Sequence, residues 1–316
     1  MRQYVFGVDL GGTTVKLGLF ESSGALLNTW EIPTRTEDDG KYILGDIADS
    51  VLNVMEERGI DKEEVEGLGI GVPGPVGADG TVFKCVNLGW GVFNVAGKLQ
   101  ELTGLKVKAG NDANVAALGE MWQGGGKGCR SIVMITLGTG IGGGIILDGK
   151  ILSGTNGAAG EVGHIPVWDD EPETCGCGKR GCLEQYGSAT GIVRVAKRYL
   201  KAHEEEASSL RDCEELTAKD VCDAAKADDR IALEILDLVG KALGKAMASI
   251  ACVVNTEAFV IGGGVSRGGD VILNPIKKYF KEYAFHASRD TEFKLATLGN
   301  NAGIYGGAMM VVGSEN

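Results

Sequence analysis

Ser131-Ile-Val-Met-Ile-Thr136-Leu-Gly138-Thr139-Gly140-Ile-Gly142-Gly143-Gly144-Ile-Ile-Leu-Asp148-Gly149-Lys-Ile-Leu152 reads as strand, glycine turn, strand, tight turn, strand. Short β-branched runs broken by glycine are strand signals. The same design opens the chain. Tyr4-Val-Phe-Gly-Val-Asp9-Leu-Gly11-Gly12-Thr13-Thr14-Val-Lys16-Leu-Gly-Leu-Phe20 gives two β-like runs about a Gly-Gly-Thr-Thr turn, and Ser22-Ser23-Gly24 then turns the chain into Ala25-Leu-Leu27. A meander that occurs twice predicts an internal duplication, with two related halves facing one another across a cleft. In each half a glycine-threonine turn offers backbone N–H groups, which can form an anion nest. For Asp9 and its turn, a plain hairpin remains the alternative.

Working outward, Ile43, Ile47, Val51 and Met55 lie at helical spacing, and the helix they predict over 42–58 ends at Gly59. Residues 65–72 predict a buried strand running into the rigid Pro73-Gly74-Pro75, and the loop Asn87-Leu-Gly-Trp90 precedes a helix over 94–103. A short strand over 105–109 leads into Asn111-Asp112, where a helix to about Gln123 starts. Asp112 there reads as an N-cap. Gly124-Gly-Gly126-Lys-Gly128 reads as a hinge. Further on come helices over 188–206 and 230–252, another opened by the capping pair Thr217 and Asp220, strands over 257–261 and 292–298, and a terminal helix to about Val312. Strands alternating with helices predict an α/β protein.

Gly138-x-Gly140-x-x-Gly143 matches the dinucleotide-binding pattern only formally. That pattern needs a helix after the glycines, and here a strand follows. No Gly-x-x-x-x-Gly-Lys-Ser/Thr run occurs, so this is not a P-loop protein.

The bulk properties narrow the class. With 316 residues and 44% hydrophobic content the chain can fill two cores. Its net charge of −12 opposes nucleic acid and anionic membrane surfaces, which need a basic footprint. No leader-like or membrane-spanning run is read, so a cytoplasmic protein is expected. Eight cysteines are too few for a disulfide scaffold. Five of them (Cys85, Cys129, Cys213, Cys222, Cys252) are scattered and read as reduced core thiols.

The other three sit in one stretch: Gly160-Glu161-Val162-Gly163-His164, a spacer, and Cys175-Gly-Cys177-Gly-Lys-Arg-Gly-Cys182-Leu183-Glu184. Three cysteines and a histidine can close a tetrahedral zinc site. The intervening glycines allow the tight turns. Glu161 and Glu184 are left over for another ligand, and with His164 they suit a polyhydroxylated one.

Taken together, Asp9-Leu-Gly-Gly-Thr13, Leu137-Gly-Thr-Gly-Ile-Gly-Gly-Gly144, Gly-Glu161-x-x-His164 and the Cys-x-Cys-Gly-x-x-Gly-Cys-x-Glu184 element resemble the ROK family of repressors, open reading frames and sugar kinases. The closest likeness is to its bacterial glucokinases. The resemblance covers nearly the whole chain. It implies an actin-like (ribonuclease H-like) α/β fold with two lobes, duplicated βββαβα-type halves and an interlobe cleft. The small lobe would be 1–122 plus the returning helix 301–316, and the larger lobe 123–300. It implies ATP-dependent phosphorylation of glucose to glucose 6-phosphate, as in glycolysis, with Mg²⁺ and a structural Zn²⁺.

Carried over residue by residue, Asp9, Gly11, Gly12 and Thr13, with Thr14 and Lys16 beside them, grip the phosphates of ATP. Gly138, Thr139 and Gly140 do the same, and Gly263 and Gly264 lie near the adenosine. Asn111 and Asp112 match the catalytic pair, which makes Asp112 the general base. Glu161, His164 and Glu184 match the sugar-binding trio, with Gly74 and Asn87 as further contacts. His164, Cys175, Cys177 and Cys182 match the zinc ligands. Family members are commonly dimers or tetramers. Other hexoses (N-acetylmannosamine, N-acetylglucosamine, fructose, mannose or allose) are the alternative substrates. A sugar-sensing repressor is the alternative class, but with the first strand at about residue 3 no room is expected for a helix-turn-helix. An actin-like structural ATPase has no use for the cysteine-histidine stretch.

Overall fold

A computed structural model describes residues 2–83 and 85–313. The chain divides into two compact units, Met1–Ile132 with Gly144–Gly160 and Thr297–Asn316, and Val133–Gly143 with Glu161–Ala296.

In the first unit β1 (Tyr4–Leu10), β2 (Thr14–Glu21) and β3 (Leu26–Pro33) form the predicted antiparallel meander. β4 (Val65–Val72) pairs parallel to β1. A small hairpin of β5 (Thr81–Val82) and β6 (Phe93–Asn94) follows. β7 (Val107–Asn111) then pairs parallel to β4, giving the order β3-β2-β1-β4-β7. β1, β2 and β4 are buried along most of their length, so their apolar runs are nearly continuous, whereas β3 alternates half-buried and exposed residues. On one face Phe6, Val8, Ile70 and Leu17 pack with Ile47 and Val51 of the helix Ile43–Arg58. That helix stops at Gly59, whose φ of 62° is the left-handed cap that glycine adopts at no steric cost.

On the other face Val5 and Phe20 meet Ile304, Ala308 and Val311 of the terminal helix Ala302–Val312. This helix approaches closely enough that side chains would not fit. A Cβ on Gly306 would lie 1.7 Å from the Val115 carbonyl oxygen, and one on Gly7 would lie 1.8 Å from that of Ile304.

The second sheet begins with β8 (Ile132–Leu137), β9 (Ile141–Leu147) and β10 (Lys150–Ile151). It continues with β11 (Ala258–Gly262) and β12 (Glu292–Leu295), in the order β10-β9-β8-β11-β12. The first sheet has the same connectivity, so the repeat read from the two glycine turns is a repeat of topology. Within the second unit the helix Arg230–Val254 is capped by Asp229 at its start and by Asn255, at φ 45°, at its end. Thr217 and Asp220 form the predicted capping box ahead of the helix Ala218–Lys226.

The structure differs from the expectations in several places, and the helix expected over 188–206 ends at Ala202. The Gly124–Gly128 tract belongs to the first unit, and the division falls between Ile132 and Val133 instead of at 122/123. Within the first unit Glu120 holds the tract in place. Its side chain is fully buried and accepts N–H bonds from Gly125 (2.8 Å), Thr297 (3.0 Å) and Leu298 (2.8 Å), tying the glycine tract and the entry to the terminal helix together. Thr297 and Leu298 thus bond to Glu120, and β12, expected to reach residue 298, ends at Leu295. After β11 the segment Gly264–Gly268 makes a 3₁₀ turn, and a helix begins at Asp270. Of the five scattered cysteines only Cys85 and Cys222 are core thiols; Cys252 is exposed.

Candidate active site

Parallel strands deliver their loops to one edge of a sheet, and ligands of open α/β sheets bind at that carboxyl edge. In the first unit the registers bring Asp9 opposite Gly71, and Val72 opposite Asn111. Asn111 caps the helix Asp112–Gln123, its Oδ1 accepting from the Asn114 N–H at 3.1 Å. Asp112, expected at that cap, is instead the first helical residue. Its Oδ1 accepts from the Ala113 N–H (2.8 Å) and from Asn111 Nδ2 (2.9 Å). The same Nδ2 donates to the Gly74 carbonyl at 3.1 Å, so Gly74, Asn111 and Asp112 form one constellation. Asn87 is exposed on the turn Val86–Leu88. Burial first, and then the charge of Asp112, push the neighbouring Cys85 thiol up, which puts this loop within electrostatic reach of Asp112.

Asp9 titrates abnormally. Burial, and then the nearby Asp112 charge, raise it from 3.8 to about 6 against the pull of Lys16. A Cβ on Gly303 would lie 2.4 Å from the Asp9 carboxyl carbon, so the start of the terminal helix closes directly on this group. After Asp9 the chain turns tightly, Gly11 N–H donating to the Thr14 carbonyl at 3.0 Å and leaving Gly12 and Thr13 exposed. Lys16 Nζ donates to Asn301 Oδ1 (3.0 Å) and pairs with Glu31 (3.4 Å).

In the second unit the ligand atoms of His164, Cys175, Cys177 and Cys182 all lie within 4.8 Å of one another. Cys177 Sγ is 3.6 Å from Cys182 Sγ, and Cys175 Sγ is 3.7 Å from His164 Nδ1. A tetrahedral zinc with ~2.3 Å Zn–S bonds requires S···S separations of about 3.8 Å. Donor set and spacing therefore fit a tetrahedral thiophilic cation. The histidine's other nitrogen, Nε2, faces Glu161 Oε2 at 4.0 Å, and Glu184 Oε1 lies 3.8 Å from Nδ1. Glu184 also abuts the glycine turn, since a Cβ on Gly140 would lie 2.8 Å from its Oε2. The three residues expected to hold a polyhydroxylated ligand are thus brought together, along with Gly140.

A cavity of about 590 Å³ adjoins that turn within the same unit. Gly138, Thr139 and Gly264 line it. Gly263 is not among its lining residues. Its φ of 84° makes the turn, and a Cβ there would lie 2.4 Å from the Leu137 carbonyl oxygen. The helix Ala218–Lys226 supplies Ala218, Lys219 and Cys222 to the cavity, and the 3₁₀ turn supplies Val265 and Arg267. From the sequence only that helix's cap is evident. Its amphipathic pattern is the available signal, but nothing local says which face meets a ligand.

The ROK family model matches residues 5–314. The chain belongs to the ROK family. It is 47% identical to a glucokinase of Halalkalibacterium halodurans, over 100% of this chain and 96% of the relative. To a glucokinase of Thermotoga maritima it is 38% identical, over 97% of this chain and 96% of that one. Among solved structures, a ROK family glucokinase from Streptomyces griseus in complex with glucose and AMPPNP is 35% identical, with a TM-score of 0.72 over 97% of this chain and 98% of that one. The fold of this ROK family member is therefore the actin-like fold of the ROK sugar kinases.

Proposed function

We propose that this chain transfers the γ-phosphoryl group of ATP to glucose, giving glucose 6-phosphate and ADP. The observation that carries the reading is the full-length likeness to glucokinases at up to 47% identity. The Asn111–Asp112 pair in the first unit and the Glu161–His164–Glu184 group in the second are the residue types such chemistry needs.

In this reading Asp112 takes the proton from the C6 hydroxyl as that oxygen attacks the γ-phosphorus. The bond to the β–γ bridging oxygen breaks, and ADP leaves with the electron pair. Asn111 Nδ2 holds Asp112 Oδ1 and the Gly74 carbonyl in fixed relation, which orients the base. Glu161 and Glu184 accept hydrogen bonds from sugar hydroxyls, His164 Nε2 makes a third contact, and Gly74 and Asn87 add others. The Gly11–Thr14 turn with Lys16, and the Gly138–Gly140 turn, position the phosphates. The cavity beside Gly264 takes the adenosine, with Gly263 shaping its wall. Phosphoryl transfer depends on positioning and charge neutralisation, and Mg²⁺ supplies the latter when bound with ATP. A raised Asp9 gains from a nearby cation, consistent with holding metal-bound water. His164, Cys175, Cys177 and Cys182 would hold a zinc ion, which would fix the histidine's tautomer and aim and would take no part in the phosphoryl transfer.

The test is an assay of ADP release with ATP, Mg²⁺ and a panel of hexoses. Glucose is expected to give the highest kcat/KM. Preference for an N-acetylated hexosamine, fructose, mannose or allose would move the substrate assignment, and no ADP release with any hexose would remove the kinase reading.

A further inference from the structure

Glu171 lies outside every motif that identifies the family, yet its side chain is fully buried. Four donors converge on it. Arg198 Nη1 and Nη2 donate to its two oxygens at 2.9 and 2.7 Å, Tyr186 Oη donates at 2.5 Å, and the Glu173 N–H donates at 2.9 Å. Such bidentate pairs fix both distance and plane. The network widens from there. Arg198 also reaches Glu173, whose other oxygen accepts from Arg194 Nε at 2.8 Å. Gln185, itself buried, donates to the Glu173 carbonyl (3.0 Å) and accepts from the Cys182 N–H (3.1 Å). Arg194 Nη1 donates to the Gln185 carbonyl at 3.2 Å.

Glu184 sits in the middle of this arrangement. It opens the single helical turn Glu184–Gly187, which has no side-chain cap of its own. On one side is Cys182 of the thiol cluster, and on the other Gln185 and Tyr186, both held by the Glu171 network.

We infer that Glu171, Arg198 and Tyr186 form a clamp, independent of metal, that positions Glu184 for the sugar. They are positioning residues, and the inference rests on the reading that Glu184 binds sugar. The cysteine-histidine cluster and the clamp secure the same helical turn from its two ends.

The experiment compares Tyr186→Phe, Arg198→Met and Glu184→Gln for glucose KM, ATP KM, kcat and zinc per chain. Tyr186→Phe keeps the buried ion pair, so the test stands even if Arg198→Met does not fold. The expected result is a glucose KM raised several-fold in Tyr186→Phe and more in Arg198→Met, with ATP KM, saturated kcat and zinc content unchanged. A glucose KM within twofold of the parent in Tyr186→Phe, or zinc lost in step with sugar affinity, overturns the inference. Glu184→Gln separates the two claims. If it leaves glucose KM unchanged, the sugar assignment of Glu184 falls and takes the clamp with it. If it raises glucose KM while Tyr186→Phe does not, only the clamp fails.

Discussion

A carboxylate at the end of a parallel strand, boxed in by Gly303 and facing a second carboxylate, resists ionisation. Asp9 therefore titrates near 6 instead of 3.8. Folding favours its protonated form, so its contribution to stability is fully present below pH 3.8 and is lost as the pH rises through 6. Raising the carboxyl this far above its ordinary value corresponds to about 3 kcal/mol. In the ligand-free protein Asp9→Asn removes this dependence. Denaturant unfolding of both proteins across that pH range is expected to show the parent losing stability relative to the variant by about that amount. Parallel curves would contradict the placement of Asp9. The sequence made this residue visible as a carboxylate before a glycine turn. Its electrostatics were not visible, because they come from Asp112 and Gly303, which only the fold brings close.

Among elements, the Gly160–Glu184 stretch was the most legible. Its ligand types and spacing survive in any local conformation, and the four ligand atoms do converge. The strands and helix caps were legible for a similar reason: periodicity, Gly59 and the Thr217 box are local signals. Three features were hidden because they depend on tertiary approach. Arg198 stands 27 residues from Glu171 with no pattern linking them. The glycines of the terminal helix gave no hint of the carbonyls they touch. The cap role passed from Asp112 to Asn111 because the strand runs two residues further than its apolar pattern, to Asn111. The proposed role of the cysteine-histidine element has a direct consequence. Cys177→Ser, or a chelator, is expected to release about one zinc per chain and to raise glucose KM while ATP KM stays. Metal analysis with steady-state kinetics checks it, and a fully active protein lacking zinc would contradict it.

At the scale of the whole molecule, two sheets of one connectivity have been put to different uses. The first unit carries Asp9, Asn111 and Asp112, and the second unit carries Glu161, Glu184 and the 590 Å³ cavity. Net charge contributes nothing specific to this division; at −12 it only opposes polyanionic partners. The proposed sugar and nucleotide sites are expected to respond separately to their ligands. A ligand at 100 times its Kd stabilises the folded state by about 2.7 kcal/mol. In Glu184→Gln the stabilisation by glucose is expected to fall away while that by a non-hydrolysable ATP analogue persists. Thermal unfolding with each ligand measures both. Equal loss of the two would mean that the substitution damages the second unit as a whole.

The central claim is that Asp112 removes the sugar proton during ATP-dependent phosphorylation. It is tested most directly by measuring turnover and glucose binding on the same preparation of Asp112→Asn. The account predicts kcat lower by about 10²–10⁴-fold, the range for loss of a general base, with glucose affinity close to the parent's. Turnover near the parent rate with glucose still bound would contradict it.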